Sequence, residues 1–344
     1  MKSIVIIVNR VARELAREGA AGSAGARGLL DTLRSKRAGV RVVETSSMAD
    51  LDAAAEEIAR EVPEAVVLAG GDGSYMAGVT ALAGAFTAAG HNEDALPPIA
   101  LAPGGTVSTV ARNWGFQGGG LMSGGSRDAA TYTSLLLDAM TAGRAKERAR
   151  PSLRCTDDEA TRIGFIVGAG LVSRFFEVYE EEGSSGYRGA VKIVARVFAG
   201  SFAKGRLAER ILSPVSCTLS VDGVRAPFDQ TSLVCASVVR DLGIGMRLLY
   251  RAGESTERFH VVATPLRPSR LGPQLPLVLA GRALIGAQNV DTLARELTLD
   301  FVRDGDGGDE DVGSNDGAYV LDGELFRTHS LRVTAGPVLR IVSV

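Results

Sequence analysis

Residues 65–74 read Ala-Val-Val-Leu-Ala-Gly-Gly-Asp-Gly-Ser: an apolar, β-branched run that stops at three glycines around one aspartate. Glycines remove the Cβ atoms that would hold a backbone away from an anion. A helix opening at Ser74 would add free N–H groups and a positive dipole end. A lone carboxylate repels an anion unless a metal or a proton-bearing hydroxyl stands between them, so Asp72 points to Mg²⁺-nucleotide chemistry. The competing reading is a tight turn behind a buried strand. A second loop, Pro103-Gly104-Gly105-Thr106-Val107-Ser108-Thr109-Val110-Ala111-Arg112, also follows an apolar run. Its glycines and hydroxyls suit phosphate or ribose oxygens, and Arg112 suits a charge-assisted bond to phosphate. Here the alternative is a strand-helix connection in which Ser and Thr merely cap. A third candidate, Val320-Leu321-Asp322-Gly323-Glu324-Leu325, carries two carboxylates, although Asp-Gly is equally a hairpin turn.

These loops need elements to hold them. Residues 4–8, 65–69 and 98–102 are short apolar runs of strand length, and 41–44 reads as a further short strand. Helical spacing lies between or after them at 29–37, at 46–60 with Asp50 as cap candidate, at 75–89, and at 126–142 with Ser126 as cap and Asp128 in its first turn. Alternation of this kind predicts a parallel sheet covered on both faces. Ligands of such sheets bind beyond the carboxyl ends of the strands, where both glycine loops fall. Past residue 148 the pattern changes. Strands are predicted at 161–167, 215–221, 231–239, 258–263, 295–302, 318–321 and 330–343, with helices at 171–182 and 187–202 and a hairpin turn at Asp222-Gly223. Two domains are therefore expected, an α/β domain over 1–148 and a mostly antiparallel β domain over 149–344.

Composition narrows the classes. The 344 residues are 45% hydrophobic and 23% charged, which is ordinary for a globular protein. A net charge of −2 gives no support to a nucleic-acid partner. Three cysteines without Cys-x-x-Cys spacing read as buried thiols in a reducing compartment, and three scattered histidines disfavour zinc. The apolar N-terminal stretch is too short for a signal peptide, and no run reaches membrane-span length, so a cytoplasmic protein is expected. Residues 304–316 read as a solvated acidic loop; a calcium loop would need glycine where Asp309 stands. Walker A, Gly-x-Gly-x-x-Gly and Gly-x-Ser-x-Gly motifs are absent, which disfavours P-loop, Rossmann and serine-hydrolase chemistry. Arg188, Lys192 and Arg196 recur every fourth residue on the 187–202 helix, with Val191, Val194, Val197 and Phe198 apolar. That basic face reads as a contact to ATP phosphates or an anionic membrane, against a solvated helix face. The alternating Arg144, Lys146, Arg148 and Arg150 read as a polar strand face.

Gly-Gly-Asp-Gly-Ser, then Pro-Gly-Gly-Thr with Ala-Arg after four more residues, then Asp-Gly-Glu near the C-terminus: in this order the motifs resemble the diacylglycerol kinase and sphingosine kinase family, its bacterial lipid kinase branch in length. NAD kinases share the first loop but usually lack the last motif. The resemblance implies an α/β nucleotide-binding domain like that of NAD kinases and diacylglycerol kinases, a β-sandwich substrate domain, and ATP with Mg²⁺ in the cleft between them. It further implies that Gly70, Gly71, Gly73, Ser74, Gly104, Gly105 and Thr106 meet the nucleotide, with Asn9 matching the Asn of an Asn-Pro phosphate loop and Arg188 also facing ATP. Asp72, Asp322 and Glu324 would be the catalytic carboxylates, with Asp72 and Glu324 metal-linked; which one acts as base is left open. The expected activity is phosphoryl transfer to a lipid hydroxyl, with peripheral, reversible membrane contact. The oligomeric state is open, a homodimer included.

The pattern also departs from the family. Arg10 stands where the Asn-Pro loop has proline, and Ser108 and Thr109 replace Asn and Asp after Gly-Thr. A planar amide offers a donor and an acceptor, whereas Ser offers one shorter group, so nucleotide selectivity should change. Arg240-Asp241-Leu242-Gly243 and Glu254-Ser255-Thr256-Glu257 replace segments that hold a structural metal in relatives. Gly168-Ala169-Gly170 supplies no carboxylate for a lipid amine, which favours a neutral acceptor such as diacylglycerol over an amino alcohol. Two other readings stay open: a catalytically silent nucleotide or lipid binder, and a kinase of a soluble acceptor such as NAD.

Overall fold

The computed structural model describes residues 3–12, 29, 31–35, 38–105, 108–116, 129–183, 186–302 and 317–344. Thr106, Ser126, Asp128 and the acidic loop 304–316 lie outside the described residues. The chain divides into two compact units, Met1–Arg150 with Pro337–Val344, and Pro151–Gly336.

In the first unit the elements run β1 (Ile4–Asn9), β2 (Val40–Thr45), α1 (Met48–Glu61), β3 (Ala65–Gly70), α2 (Asp72–Ala88), β4 (Ile99–Pro103), α3 (Thr109–Asn113), α4 (Ala129–Thr141) and β5 (Lys146–Arg150). The second unit holds β6 (Leu153–Thr156), β7 (Thr161–Gly164), β8 (Ile166–Gly170), α5 (Leu171–Glu181), α6 (Gly186–Phe202), α7 (Arg206–Leu212), β9 (Val215–Val221), β10 (Val224–Arg225), β11 (Gln230–Thr231), β12 (Leu233–Ser237) and β13 (Phe259–Thr264). It continues through α8 (Pro268–Leu271), α9 (Leu275–Leu279), β14 (Val290–Ala294), β15 (Glu296–Phe301), β16 (Ala318–Leu321), β17 (Glu324–Arg327) and β18 (Ser330–Ala335). The chain then returns to the first unit with β19 (Leu339–Ser343).

The first sheet has the order β2-β1-β3-β4-β19-β5, parallel throughout except for β5, which runs against β19. β3 and β4 are buried at every position, which explains their unbroken apolar sequence. β5 is the exposed edge, and Lys146, Arg148 and Glu147 give it the charge that keeps an edge from pairing further. The second unit is the expected antiparallel sandwich. One sheet is ordered β10-β9-β15-β18-β6-β7, with β11 also on β9, and the other β14-β13-β12-β8-β16-β17. Helices α5, α6 and α7 bury Val178, Ile193, Ala208, Ile211 and Leu212 in one cluster with Leu233, Cys235 and Val262 of β12 and β13.

Several local expectations change. Residues 330–343 form two strands in different sheets, because Gly336-Pro337 interrupts them and proline has no N–H to carry the ladder on. Residues 337–344, read from sequence as part of the second domain, accordingly lie in the first unit. The 161–167 run also breaks, at Phe165, between β7 and β8 of different sheets. α1 is capped by Ser47, whose hydroxyl accepts the Asp50 N–H; Asp50 completes the reciprocal capping box rather than being the cap itself. On α6 it is Ile193 that is fully buried, while Val191 is exposed.

Candidate nucleotide-binding and catalytic site

The carboxyl ends of β2, β1, β3 and β4 lie side by side, with Asn9 in register with Thr45 and Gly70 with Pro103. The Gly104 N–H donates to the Gly70 carbonyl at 2.7 Å, which ties the two glycine loops together. They approach so closely that a Cβ on Gly71 would lie 3.3 Å from the Gly105 Cα, and a Cβ on Gly105 would collide with Gly71. Only glycine fits this approach, which leaves a backbone surface clear of side chains at the N-terminus of a 17-residue helix. α2 starts at Asp72, two residues before Ser74. Gly73 therefore lies in its first turn, whose N–H groups have no acceptor within the helix.

Ser74 organises the loop. Its hydroxyl oxygen accepts from Asn9 Nδ2 at 2.9 Å and from the Gly71 N–H at 3.3 Å, while Asn9 Oδ1 accepts the Val11 N–H at 2.9 Å. A Cβ on Gly70 would collide with that same hydroxyl. Asn9 thus fixes the loop through Ser74 without the proline that follows it in the family pattern.

Asp72 has a role that its sequence position does not reveal. Its two carboxylate oxygens accept the Thr109 and Val110 N–H groups at 2.8 and 3.0 Å. These are the first two residues of α3, and Ser108, the residue before them, makes no side-chain cap. Asp72 is therefore the N-terminal cap of α3, supplied from the other glycine loop. Ser108 adopts a left-handed conformation with φ of 50°, and its hydroxyl donates to the Gly105 carbonyl at 3.2 Å. Burial pushes the Asp72 carboxyl above its ordinary value, against the backbone N–H groups of Val110 and Thr109 and the nearby Arg112 charge. The Arg112 guanidinium lies 5.4 Å from the Phe116 ring centroid.

Beside Asn9 and Ser74 opens a cavity of about 210 Å³, lined by Asn9, Thr45, Ser46, Ser47 and Ser74 on its polar side and by Leu51 and Leu68 among its apolar walls. Thr45, Ser46 and Ser47 were missed from sequence. The signal was present, three consecutive hydroxyls at the carboxyl end of the second strand, but they read simply as the approach to a helix.

The second unit holds the other predicted residues. Asp322 and Gly323 form the β16–β17 turn with φ of 50° and 91°. Asp322 is 5% exposed, and its two oxygens accept the Phe165 and Ile166 N–H groups, each at 2.9 Å. It thereby secures the backbone where β7 gives way to β8. Glu324, which pairs across the turn with Leu321, is exposed at the start of β17. Arg188 is exposed on α6. The structure therefore gathers Asn9, Gly70, Gly71, Asp72, Gly73, Ser74, Gly104 and Gly105 at one sheet edge, and Asp322 with Glu324 in one hairpin. Among the described residues no three His, Cys, Asp or Glu side chains converge into a metal cage. Mg²⁺ held by one or two carboxylates and by substrate phosphates needs no such cage.

Residues 3–131 match the model of the diacylglycerol kinase catalytic domain. The matched residues fall within the first unit and include both glycine loops. Among solved structures, the whole chain aligns with a diacylglycerol kinase from Bacillus anthracis str. Sterne at 12% identity and a TM-score of 0.55, covering 100% of this chain and 97% of that one. Two further structures from the same organism, assigned as diacylglycerol kinases, align at 12% identity with TM-scores of 0.60 and 0.61, covering 100% of this chain and 98% and 97% of theirs. At that identity the likeness establishes the fold. No curated protein matches the chain.

Proposed function

We propose that the chain is an ATP-dependent lipid kinase that transfers the γ-phosphoryl group to a hydroxyl of a neutral lipid such as diacylglycerol. The observation that carries this reading is the close backbone approach of Gly71 to Gly105 at the N-terminus of α2, within the residues that match the diacylglycerol kinase catalytic domain. The nucleotide phosphates would rest on the glycine backbone and Ser74, and the cavity beside Asn9 and Thr45 would take its nucleoside. Mg²⁺, bound through the phosphates and an acidic side chain, would neutralise charge on the transferring group.

On the protein side, an alcohol is a poor nucleophile at neutral pH, and a carboxylate aimed at it assists proton removal. Glu324, at the exposed start of β17, would be the carboxylate that takes the acceptor proton, and Asp72, beside the glycine loops, the one that meets the metal-nucleotide. The lack of a carboxylate in β8 supports a neutral acceptor. Among the described residues no helix is long and apolar enough to cross a membrane, so contact with a lipid-bearing membrane would be peripheral.

The engagement of Asp72 by backbone also favours a second reading, in which the chain binds nucleotide without transferring phosphate. Mixed micelles of diacylglycerol with labelled ATP and Mg²⁺ separate the two. Label entering the organic phase with wild type, and lost in Asp72→Asn and Glu324→Gln, is the expected result. Nucleotide binding with no transfer to any lipid would leave the silent binder or a soluble acceptor such as NAD.

A further inference from the structure

The outward face of α6 has a composition that a solvated helix does not need. Arg188, the adjacent Val191 and Lys192, Ala195, Ala199 and Phe202 recur at three- and four-residue spacing and are all exposed. Phe202 is 65% exposed and meets the half-buried Phe198 edge-on, with ring centroids 5.2 Å apart. No Asp or Glu occurs in residues 183–208, which carry Arg188, Lys192, Arg196, Lys204 and Arg206. Of these, Arg196 pairs with Glu182 just outside the stretch.

A second segment of the same character packs against it. Gly272 lies so close to Ser201 of α6 that a Cβ there would collide with the serine side chain. Two residues on, Gln274 grips the backbone of Ile285 from both sides: its Oε1 accepts the Ile285 N–H at 2.7 Å and its Nε2 donates to the Ile285 carbonyl at 3.0 Å. This clamp holds the residue in place while its side chain is 72% exposed. Leu279, at the end of α9, is also exposed. Residues 265–288 contain Arg267, Arg270 and Arg282, all exposed, and again no Asp or Glu. Large exposed apolar side chains, cationic neighbours and missing carboxylates thus coincide in two touching segments, in a chain whose net charge is −2.

We infer that the α6 face and the 265–288 segment form a docking surface for an anionic lipid bilayer, with Phe202 and Ile285 entering the headgroup boundary and the surrounding Arg and Lys meeting lipid phosphates. Apolar insertion with a basic surround is the interfacial mode of membrane binding, and each basic residue near an anionic surface adds to the attraction. A protein partner of like composition would lack the charge that these segments complement. The inference rests on the proposed lipid substrate, which must be collected from a membrane.

The test is co-sedimentation of the full chain, without ATP, with phosphatidylcholine vesicles with and without phosphatidylglycerol. The exposed pairs Phe202→Ser/Ile285→Ser and Arg270→Glu/Arg282→Glu are compared with wild type, with circular dichroism and thermal unfolding verifying the fold. Wild type should bind only the anionic vesicles and be released by salt. Each pair should weaken binding by at least about tenfold while leaving phosphorylation in detergent micelles intact. Wild type that ignores anionic vesicles, pairs that bind like wild type, or a wild-type dimer that Phe202→Ser dissociates would each overturn the docking surface. Vesicle binding without phosphorylation of any lipid would overturn the proposed kinase activity and leave the surface standing.

Discussion

At the residue scale the informative pair is Asp72 and Asp322. Both lie in Asp-Gly motifs, and both spend their two oxygens on consecutive backbone N–H groups, Asp72 on Thr109 and Val110 and Asp322 on Phe165 and Ile166. Asp72→Asn presents an amide NH₂ to one of its two donors, so it should cost about 1–2 kcal/mol in urea unfolding besides its effect on turnover. That deficit has a pH dependence with a definite sign. Burial raises the Asp72 carboxyl, so the folded state holds its proton above the ordinary value of 3.8. The wild type then loses stability as pH rises from that value through the raised one. Asn does not titrate, so the gap between variant and wild type should narrow over the same range, and unfolding curves at several acid pH values check it. For Asp322→Ala, the buried Phe165 N–H and the half-buried Ile166 N–H lose their acceptor, with an expected loss of about 2–4 kcal/mol. Exposed Glu324→Gln should change stability by less than about 0.5 kcal/mol while abolishing transfer. The motif residues themselves were legible in the sequence, because glycines around a carboxylate after an apolar run are a local signal. Their hydrogen-bond partners were not, since the donors to Asp72 lie 37 and 38 residues away and those to Asp322 more than 150.

At the scale of elements, the candidate site is a contact between two loops that must both be glycine. Gly105→Ala would drive a methyl group into the Gly71 backbone, so it should lower the melting temperature and weaken ATP binding by at least about tenfold, read by calorimetry. The strands that present the loops were readable as continuous apolar runs, and four of the five parallel strands were placed within a residue or two. What escaped was the end of the chain. The recurring apolar residues at 330–343 look like one long strand, and only the Gly336-Pro337 pair hints that it serves two sheets. β6 and β14 were missed as well. β14 is only partly buried along most of its length, which weakens the alternation that marks a strand.

At the scale of the molecule, the second unit lies within the sequence of the first. β19 occupies an inner place in the first sheet, parallel to β4 on one side and antiparallel to β5 on the other. Removing residues 337–344 should therefore leave β5 without a partner and expose the β4 edge. The truncated chain is expected to lose the cooperative unfolding of the first unit and to be cleaved there by protease at low doses, while the second unit survives.

Because a ribosome delivers the chain from its N-terminus, the glycine loops emerge early but rest on a sheet whose inner strand emerges last. The sheet beneath the glycine loops therefore gains its inner strand only after the whole sandwich has passed. Fragments broken off before β19 thereby lack the strand that joins β4 to β5, so the sheet under the glycine loops is completed only by the last of its strands.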